Sequence, residues 1–336
     1  MTTTNDAARA FRLTVLNPGG RDRTQDFSLV HGEPDRHAHA PVNFHGYAAC
    51  TSGAFERDVA RAIAARRPVL LLLRGDFKES QRALLALKKA KLPVAVSLKE
   101  TGLHQIERQL SDPKRAGRFR EIVQTADGCL AATPEAVVFY GRGKFIPTPY
   151  PMDDAHWNFS RSLGERRGIF IGTREWDTPS RHHLAALVMA AELGDPITLF
   201  DEEPKRCRKI LSALGVPRDT LRILEKRLPY REYLGEMARH KIVLQADKSS
   251  VPGQVAGDAL LCRLPCVGGD GAIDRLGFPA TSGYGRSLGE LALVAARLLQ
   301  ETNFYDGSVT ESQALAREHL SFDVVARQLE DFFANL

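Results

Sequence analysis

The chain has 336 residues, more than a usual single domain, so we expect two domains. Apolar residues make up 43% of it, enough to bury a core in each domain. Charged residues make up 26%, which argues against long disordered stretches. The formal net charge of +5 is compatible with an anionic ligand, an anionic membrane surface or nucleic acid and does not discriminate between them. The five cysteines form no C-x-x-C pair, which favours free thiols over a zinc site.

In the first half, helical periodicities alternate with continuous apolar runs, which are typical of strands buried in a parallel sheet. A turn with the sequence Asn17-Pro18-Gly19-Gly20 follows the first strand. The predicted strands are 11–16, 69–73, 93–98 and 128–132. The predicted helices are 53–67, 80–91 and 119–126.

The alternation breaks at the proline-bearing segment 146–154, which cannot continue a helix or a central strand and is interpreted as a linker. It then restarts. The predicted strands are 168–171, 197–200, 221–224, 242–245 and 265–267. The predicted helices are 180–193, 204–214, 230–240, 254–262, 286–299, 311–319 and 322–333.

This layout predicts an α/β protein with two Rossmann-like, doubly wound domains facing a cleft. We expect an N-terminal domain at 1–150, a second domain at 151–320, and a C-terminal helix at 321–336 that crosses back to the first domain. Ligands in such sheets bind at the carboxyl ends of the strands, so the cleft is the expected site.

Glycine turns and cationic residues at strand ends are the first candidate ligand contacts. Gly19 and Gly20 would let backbone N–H groups approach an anion, although a plain strand-to-helix turn explains them too. Arg174 ends the first strand of the second half, and Arg181 follows near Ser180, a predicted helix N-cap. Two arginines beside a helix N-terminus could hold a diphosphate, and a solvated loop is the alternative.

The densest candidate site lies between residues 241 and 270. A strand leads into a polar loop that carries Lys248, Ser249 and Ser250, and a helix with Asp258 follows the loop. We expect the two serines and the amides at the helix N-terminus to face the ligand. A carboxylate one or two turns into a helix can accept hydrogen bonds from ribose hydroxyls, whereas a solvent-facing helix residue is the other interpretation of this aspartate.

The stretch 228–269 resembles the donor-binding core of GT-B glycosyltransferases, above all the retaining family-4 type. That family has a loop P-S-x-x-E-x-x-G, a second glutamate eight positions after the first, and a G-x-P-V-V strand that ends in two glycines. Here Gly253 matches the loop glycine, Asp258 the second glutamate, and 263–269 the strand with its glycines. Ser250 stands where the first glutamate would be.

The resemblance implies metal-independent transfer of a sugar from a nucleoside-diphosphate sugar to a glycan, lipid-linked or protein acceptor, as in bacterial glycan biosynthesis. The nucleotide sugar would be a substrate, so no cofactor is expected. No metal site is expected either, and the sequence has no D-x-D triplet. The donor-binding residues that follow from the residue patterns and the resemblance are Gly19, Gly20, Arg174, Arg181, Leu228, Lys248, Ser249, Ser250, Gly253 and Asp258.

The expected catalytic residues are Lys99 and Glu100. They occupy the place of a histidine that family members use near the reacting sugar. Glu100 would be the general base, and a surface helix cap is the other interpretation of this residue. No apolar run reaches the length of a membrane span, so we expect a cytoplasmic protein. Basic clusters in the first domain could contact the inner face of a membrane. These clusters lack the interleaved aromatic residues that would indicate nucleic-acid binding.

Two other functions remain open. A non-catalytic protein of the same fold could bind a sugar nucleotide or a partner, because Ser250 supplies no carboxylate. Another enzyme of the same layout, such as a nucleotide-sugar epimerase, would need pairs of acidic residues and histidines at the site.

Overall fold

A computed structural model describes residues 11–28 and 39–336. The chain divides into two compact units, the first formed by 1–151 together with 321–336 and the second by 152–320. The division falls inside the proline-bearing segment. The roles assigned to the two domains stay predictions.

The first unit is built on one sheet. Its described strands are β1 Thr14–Leu16, β2 Gln25–Asp26, β3 Ala54–Glu56, β4 Val69–Leu73, β5 Val94–Leu98, β6 Gly128–Ala131 and β7 Gly143–Phe145. Its described helices before the linker are α1 Asn43–Cys50, α2 Val59–Ala65, α3 Lys78–Lys89, α4 Leu103–Leu110, α5 Pro113–Thr125 and α6 Val137–Tyr140. Among these residues the strand order is β2-β3-β1-β4-β5-β6-β7, with only β2 antiparallel.

Both faces of this sheet are covered, as its uninterrupted apolar strands predict. In β4, Leu71 and Leu73 pack in a core with α3 and α5, whereas Leu70 and Leu72 pack in a second core on the other face. The helix α14 (Phe322–Ala334) closes that second core, so the C-terminal helix belongs to the first unit.

The predicted helix 53–67 is wrong in its first part. Ala54–Glu56 is a strand that pairs with β1, and the helix begins only at Val59. Asp58 caps that helix by accepting from the N–H of Ala60, at 2.7 Å. The apolar spacing that suggested one helix combined Phe55, buried in the sheet, with residues of α2. The helices α1, α4 and α6 and the strand β7 were not predicted.

The second unit is built on a parallel sheet. Its described strands are β8 Ile169–Ile171, β9 Ile197–Phe200, β10 Leu221–Leu224, β11 Ile242–Leu244 and β12 Cys266–Val267. Its described helices are α7 His183–Leu193, α8 Pro204–Ala213, α9 Tyr230–Met237, α10 Gln254–Leu261, α11 Ala272–Gly277, α12 Leu288–Gln300 and α13 Thr302–Leu320. The strand order is β10-β9-β8-β11-β12 within the described chain.

The predicted start of α7 is wrong. The helix begins at His183 with His182 as its N-cap, and Pro179–Arg181 forms a separate short 3-10 turn. Ser180 is therefore not the N-cap, and α11 was not predicted. The doubly wound α/β class is confirmed in each unit. No helix built from the described residues is long and apolar enough to cross a membrane.

Candidate functional site

Three loops meet at the carboxyl edge of the second sheet, because β8, β11 and β12 are neighbours there. We call them the carboxyl-edge loops, and they span 172–182, 245–253 and 268–271. The backbone N–H of Lys248 donates to the carbonyl of Ser180 at 2.7 Å, which joins the first loop to the second. The sequence-predicted donor site thus lies at the edge where parallel sheets bind ligands.

The second and third loops are joined in the same way. The N–H of Asp270 donates to the carbonyl of Asp247 at 2.9 Å, and the N–H of Ala272 donates to the carbonyl of Val251 at 3.0 Å. These backbone bonds fix the loops without using side chains that a ligand would need.

The end of β8 approaches the first turn of α10 very closely. A Cβ atom on Gly172 would overlap the side chain of Val255, so only glycine allows this approach. Two residues later, the guanidinium of Arg174 lies 5.4 Å from the ring centre of Phe200 and is exposed. Arg174 is therefore a cation available to a ligand at this edge.

Arg181 is held differently. Its guanidinium forms an ion pair with the buried carboxylate of Asp247, and its Nε lies 3.5 Å from the carboxylate of Glu175. Two carboxylates thus offset its charge. Its predicted contact with a diphosphate stays a prediction, and Arg174 is the more exposed of the two arginines.

Ser249 is buried, although the sequence predicted that it faces the ligand. Its Oγ lies 2.8 Å from the Oγ of Ser180, and its N–H donates to Asp247 at 2.8 Å. The side chain of Lys248 is exposed, and its Nζ donates to the carbonyl of Arg286 at 3.2 Å. Ser249 therefore fixes the loop, whereas Lys248 presents a charge to solvent.

Ser250 adopts a left-handed backbone conformation, with a φ of 48°, which is uncommon for a residue other than glycine. Its N–H donates to a carboxylate oxygen of Asp270 at 2.9 Å. Gly253 follows with a φ of 93° and is the N-cap of α10. Because glycine has no side chain, Gly253 itself supplies no cap to the first turn of α10.

An aspartate that sequence reasoning missed lies beneath these loops. Asp274 is 1% exposed and accepts a hydrogen bond from Nε2 of Gln245 at 2.9 Å. Burial raises the pKa of its carboxyl well above the ordinary range, and the neighbouring carboxylates of Asp247 and Asp270 raise it further. A neutral Asp274 can therefore stay buried under the site without a cationic partner.

Asp258 lies in the second turn of α10 and is 2% exposed, so it is not a solvent-facing residue. Its carboxyl group accepts a hydrogen bond from the hydroxyl of Tyr230, the first residue of α9. Burial raises its pKa to about 8, and the Tyr230 bond opposes that shift. Sequence reasoning missed Tyr230, because nothing in the sequence links two residues 28 positions apart. Leu228, just before α9, is half-buried.

In the first unit, Gly19 and Gly20 form the turn after β1. Gly19 has a φ of 68°, and its carbonyl accepts from Arg74 at 2.6 Å. A Cβ atom on Gly20 would overlap the amide of Asn17, whose Nδ2 donates to Asp22 at 2.8 Å. The turn is thus packed against polar groups of its own unit and lies on a different sheet from the carboxyl-edge loops.

Lys99 and Glu100, at the end of β5, have partners within the first unit. The Nζ of Lys99 lies 3.3 Å from the carboxylate of Asp22 and 5.2 Å from the ring centre of Phe44. Glu100 accepts from Nε2 of Gln109 at 3.1 Å. Their predicted catalytic roles stay predictions. Across the part of the chain that the structure describes, no cluster of three or more metal-ligating side chains occurs.

No protein-family model matches the sequence, and no curated protein does. Solved structures do match. Anabaena HepE in complex with UDP and glucose has a TM-score of 0.64 and 13% identity, over 97% of this chain and 100% of that chain. A glycosyltransferase from Rickettsia africae has a TM-score of 0.57 and 10% identity, over 82% and 78%.

A trehalose-phosphate synthase described as UDP-forming, from Burkholderia vietnamiensis, has a TM-score of 0.55 and 12% identity, over 83% of this chain and 77% of that chain. At such low identities the similarity shows the fold alone. The chain has the GT-B fold, with two Rossmann-like α/β domains, as the sequence resemblance implied.

Proposed function

We propose that the protein is a glycosyltransferase that takes a sugar from a nucleoside-diphosphate sugar. The observation that carries this proposal is that the exposed cations Arg174 and Lys248 lie on the same sheet edge as the N-terminus of α10, whose N-cap is a glycine. Helix amides and cationic side chains are the groups that bind phosphate oxygens. The GT-B fold and the UDP complexes of HepE support the same assignment.

In this proposal the diphosphate lies on the first turn of α10. Negative charge grows on the leaving diphosphate as the glycosidic bond breaks, and Arg174, Lys248 and the helix amides stabilise that charge. Fixed cationic groups can do this without a metal ion. Asp258 accepts hydrogen bonds from the ribose hydroxyls, and Arg181 positions the loop through its ion pair with Asp247.

The first unit would bind the acceptor, which we propose to be a glycan, a lipid-linked sugar or a protein. Lys99 and Glu100 are the candidates for contacts with the reacting hydroxyl. The Gln109 amide donates to one carboxylate oxygen of Glu100, which orients the side chain and leaves the other oxygen to act as a base. In α3, the exposed Lys89 could contact an anionic membrane surface, whereas Lys88 pairs with Asp127.

Calorimetric titration with UDP, GDP, TDP and ADP tests the nucleotide site. We expect one of the four to bind and Arg174→Ala to weaken that binding about 10-fold or more, as loss of a charge-assisted contact does. The matched control is Arg120→Ala, which removes the charge of an exposed arginine on α5 of the first unit and should leave the nucleotide affinity unchanged. If none of the four nucleotides binds, the proposed function is wrong.

One observation favours a second function, which is nucleotide or partner binding without catalysis. Ser250 stands at the position of the family's first glutamate, and its N–H is bound to Asp270. Nucleotide binding without donor hydrolysis or transfer, on any acceptor tried, would select this function. Ser250→Glu should then raise hydrolysis of the donor if the missing carboxylate is the cause.

A further inference from the structure

The pair formed by Asp258 and Tyr230 is unusual because a fully buried carboxyl group has a phenol as its partner. Asp258 is 2% exposed, and the Tyr230 hydroxyl donates to its Oδ1. The Tyr230 ring is fixed by Trp157 and Tyr233, with ring centres 6.0 and 6.4 Å away. The hydroxyl is thus held at the carboxyl group by packing.

Two arginines lie in the surroundings of Asp258: Arg174 acts electrostatically on Tyr233 and Arg166 on Cys262. From α9, Asp258 faces Tyr230 and Tyr233, from the end of α10 the Cys262 thiol, and from β12 the Cys266 thiol. From α13, Gln313 donates to the backbone carbonyl of Leu260 in α10. Among the described residues, no lysine or arginine forms an ion pair with Asp258, so nothing cationic stabilises its charged form.

This environment favours the protonated carboxyl in the unliganded protein. Burial raises the pKa of Asp258 to about 8, so at pH 7 about nine in ten molecules carry the proton. Ribose hydroxyls are hydrogen-bond donors, and a carboxylate accepts from them better than a protonated carboxyl does. A bound ribose and the Tyr230 hydroxyl would together supply the donors that the charged form lacks.

We propose that binding of a nucleoside diphosphate at this site releases the proton of Asp258 to solvent, and that the Tyr230 hydroxyl sets the pH at which this happens. The inference rests on the proposed function, since it takes the second unit as the nucleotide-binding unit. Tyr230 is a positioning residue here, because it acts through Asp258 and need not touch the nucleotide.

The test is the affinity of the full chain for the tightest-binding of UDP, GDP, TDP and ADP, measured by calorimetry from pH 7 to pH 9.5. A phosphate group loses its last proton near pH 6, so the charge of the diphosphate is nearly constant in this range. The titration of a uracil, guanine or thymine base at the upper end of this range is measured on the free nucleotide and corrected for. The affinity of the unaltered protein should rise about 10-fold from pH 7 to pH 9 and then level off. At pH 7 the heat should depend on the buffer and report release of about 0.9 proton.

Three variants separate the roles. Asp258→Asn should bind about 10-fold or more weakly at pH 9, with an affinity that no longer depends on pH. Tyr230→Phe keeps the ring but loses the hydrogen bond that favours the carboxylate. The midpoint of its affinity-versus-pH curve should therefore move up by about one pH unit. Tyr233→Phe, which removes a hydroxyl from the same helix, is the matched control and should leave the midpoint unchanged.

The outcomes distinguish the two proposals. An affinity that stays flat with pH in the unaltered protein overturns the proton coupling but leaves the nucleotide site intact. An unmoved midpoint in Tyr230→Phe overturns the role of Tyr230. Failure of all four nucleotides to bind at pH 9 overturns the proposed function itself. A purely structural role of the pair would lower the melting temperature of the variants without changing the pH profile of binding.

Discussion

At the carboxyl edge of the second sheet, backbone hydrogen bonds run from loop to loop beside the Arg181–Asp247 ion pair. At the same edge of the first sheet, charged side chains add their contacts to the backbone bonds of the Gly19 turn. In the second unit, Lys248 and Asp270 donate from the backbone across loops. In the first unit, Arg74 donates to the Gly19 carbonyl and Lys99 pairs with Asp22.

The difference matters for binding. Loops fixed through their backbone keep their shape while their exposed cations exchange solvent for ligand, which preorganises a site for a charged group. A turn held by charged side chains must exchange those contacts when a ligand arrives. The second unit is therefore the better candidate for a rigid donor site, and the first for a surface that adapts to its acceptor.

The glycines of the two edges should give the largest contrast. Gly268 has a φ of 80°, and a Cβ atom on it would overlap the backbone carbonyl of Gln245. Gly268→Ala should therefore cost at least about 3 kcal/mol in the free energy of unfolding and disrupt the second unit. Denaturant unfolding measures the loss, and hydrogen exchange shows which unit opens.

Gly19→Ala is the matched variant in the first unit. Its φ of 68° is also left-handed, but the nearest atom to an added Cβ is Cγ of Glu79, 3.7 Å away. The strain of the backbone alone predicts a cost of about 1 kcal/mol. Equal losses of unfolding free energy in the two variants would show that the overlap with the Gln245 carbonyl adds nothing to the backbone strain at Gly268.

The elements that the sequence could predict are those whose pattern is local. The all-apolar run of β4 and the helix α3 that follows it were predicted to within two or three residues, because burial on both faces and helical spacing leave direct signatures. The short strand β3 was missed because it has no local signature of this kind. It is a strand only because it pairs with β1, and the residues around Phe55 do not indicate that pairing.

The candidate site was predicted in outline and not in its contacts. The motif located the loop at Ser250, the N-cap glycine and Asp258, because chain order fixes which loops follow which strands. It could not predict that Arg181 pairs with Asp247 or that Tyr230 reaches Asp258, since those partners lie 66 and 28 positions apart. Burial of a polar residue depends on such contacts and was therefore predicted least well.

The two edges should also differ in how their aspartates link stability to pH. The pKa of Asp258 is raised to about 8 from an ordinary value of 3.8. Its contribution to stability is therefore fully present below about pH 4 and is lost as the pH rises through about 8. Relative to Asp258→Asn, the unaltered protein should lose about 3 to 4 kcal/mol of unfolding free energy between pH 5 and pH 8.

Asp22→Asn should show the opposite sign. Burial opposes ionisation of Asp22, but the Lys99 ammonium outweighs it and lowers the pKa of the carboxyl below 3.8. Its stabilising contribution is present above about pH 4 and disappears as the pH falls through the lowered value. Chemical unfolding at pH 3, 5 and 8 measures both series. Slopes of the same sign in the two variants would contradict this assignment.

The smallest effect is expected for Lys99→Met, which keeps an unbranched side chain over the Phe44 ring but removes the ammonium group. The ion pair with Asp22 is part-exposed, with side-chain exposures of 27% and 34%, so its loss should cost no more than about 1 kcal/mol. The sharper readout is the carboxyl resonance of Asp22, whose pKa should rise once the ammonium is gone. Lys78→Met, which removes an ammonium paired with Asp76 instead, should leave that titration unchanged. If the Asp22 pKa did not move in Lys99→Met, the ion pair with Lys99 would not be what stabilises this edge of the first sheet. The proposed difference from the second unit, whose loops are joined by backbone hydrogen bonds, would then have no electrostatic support.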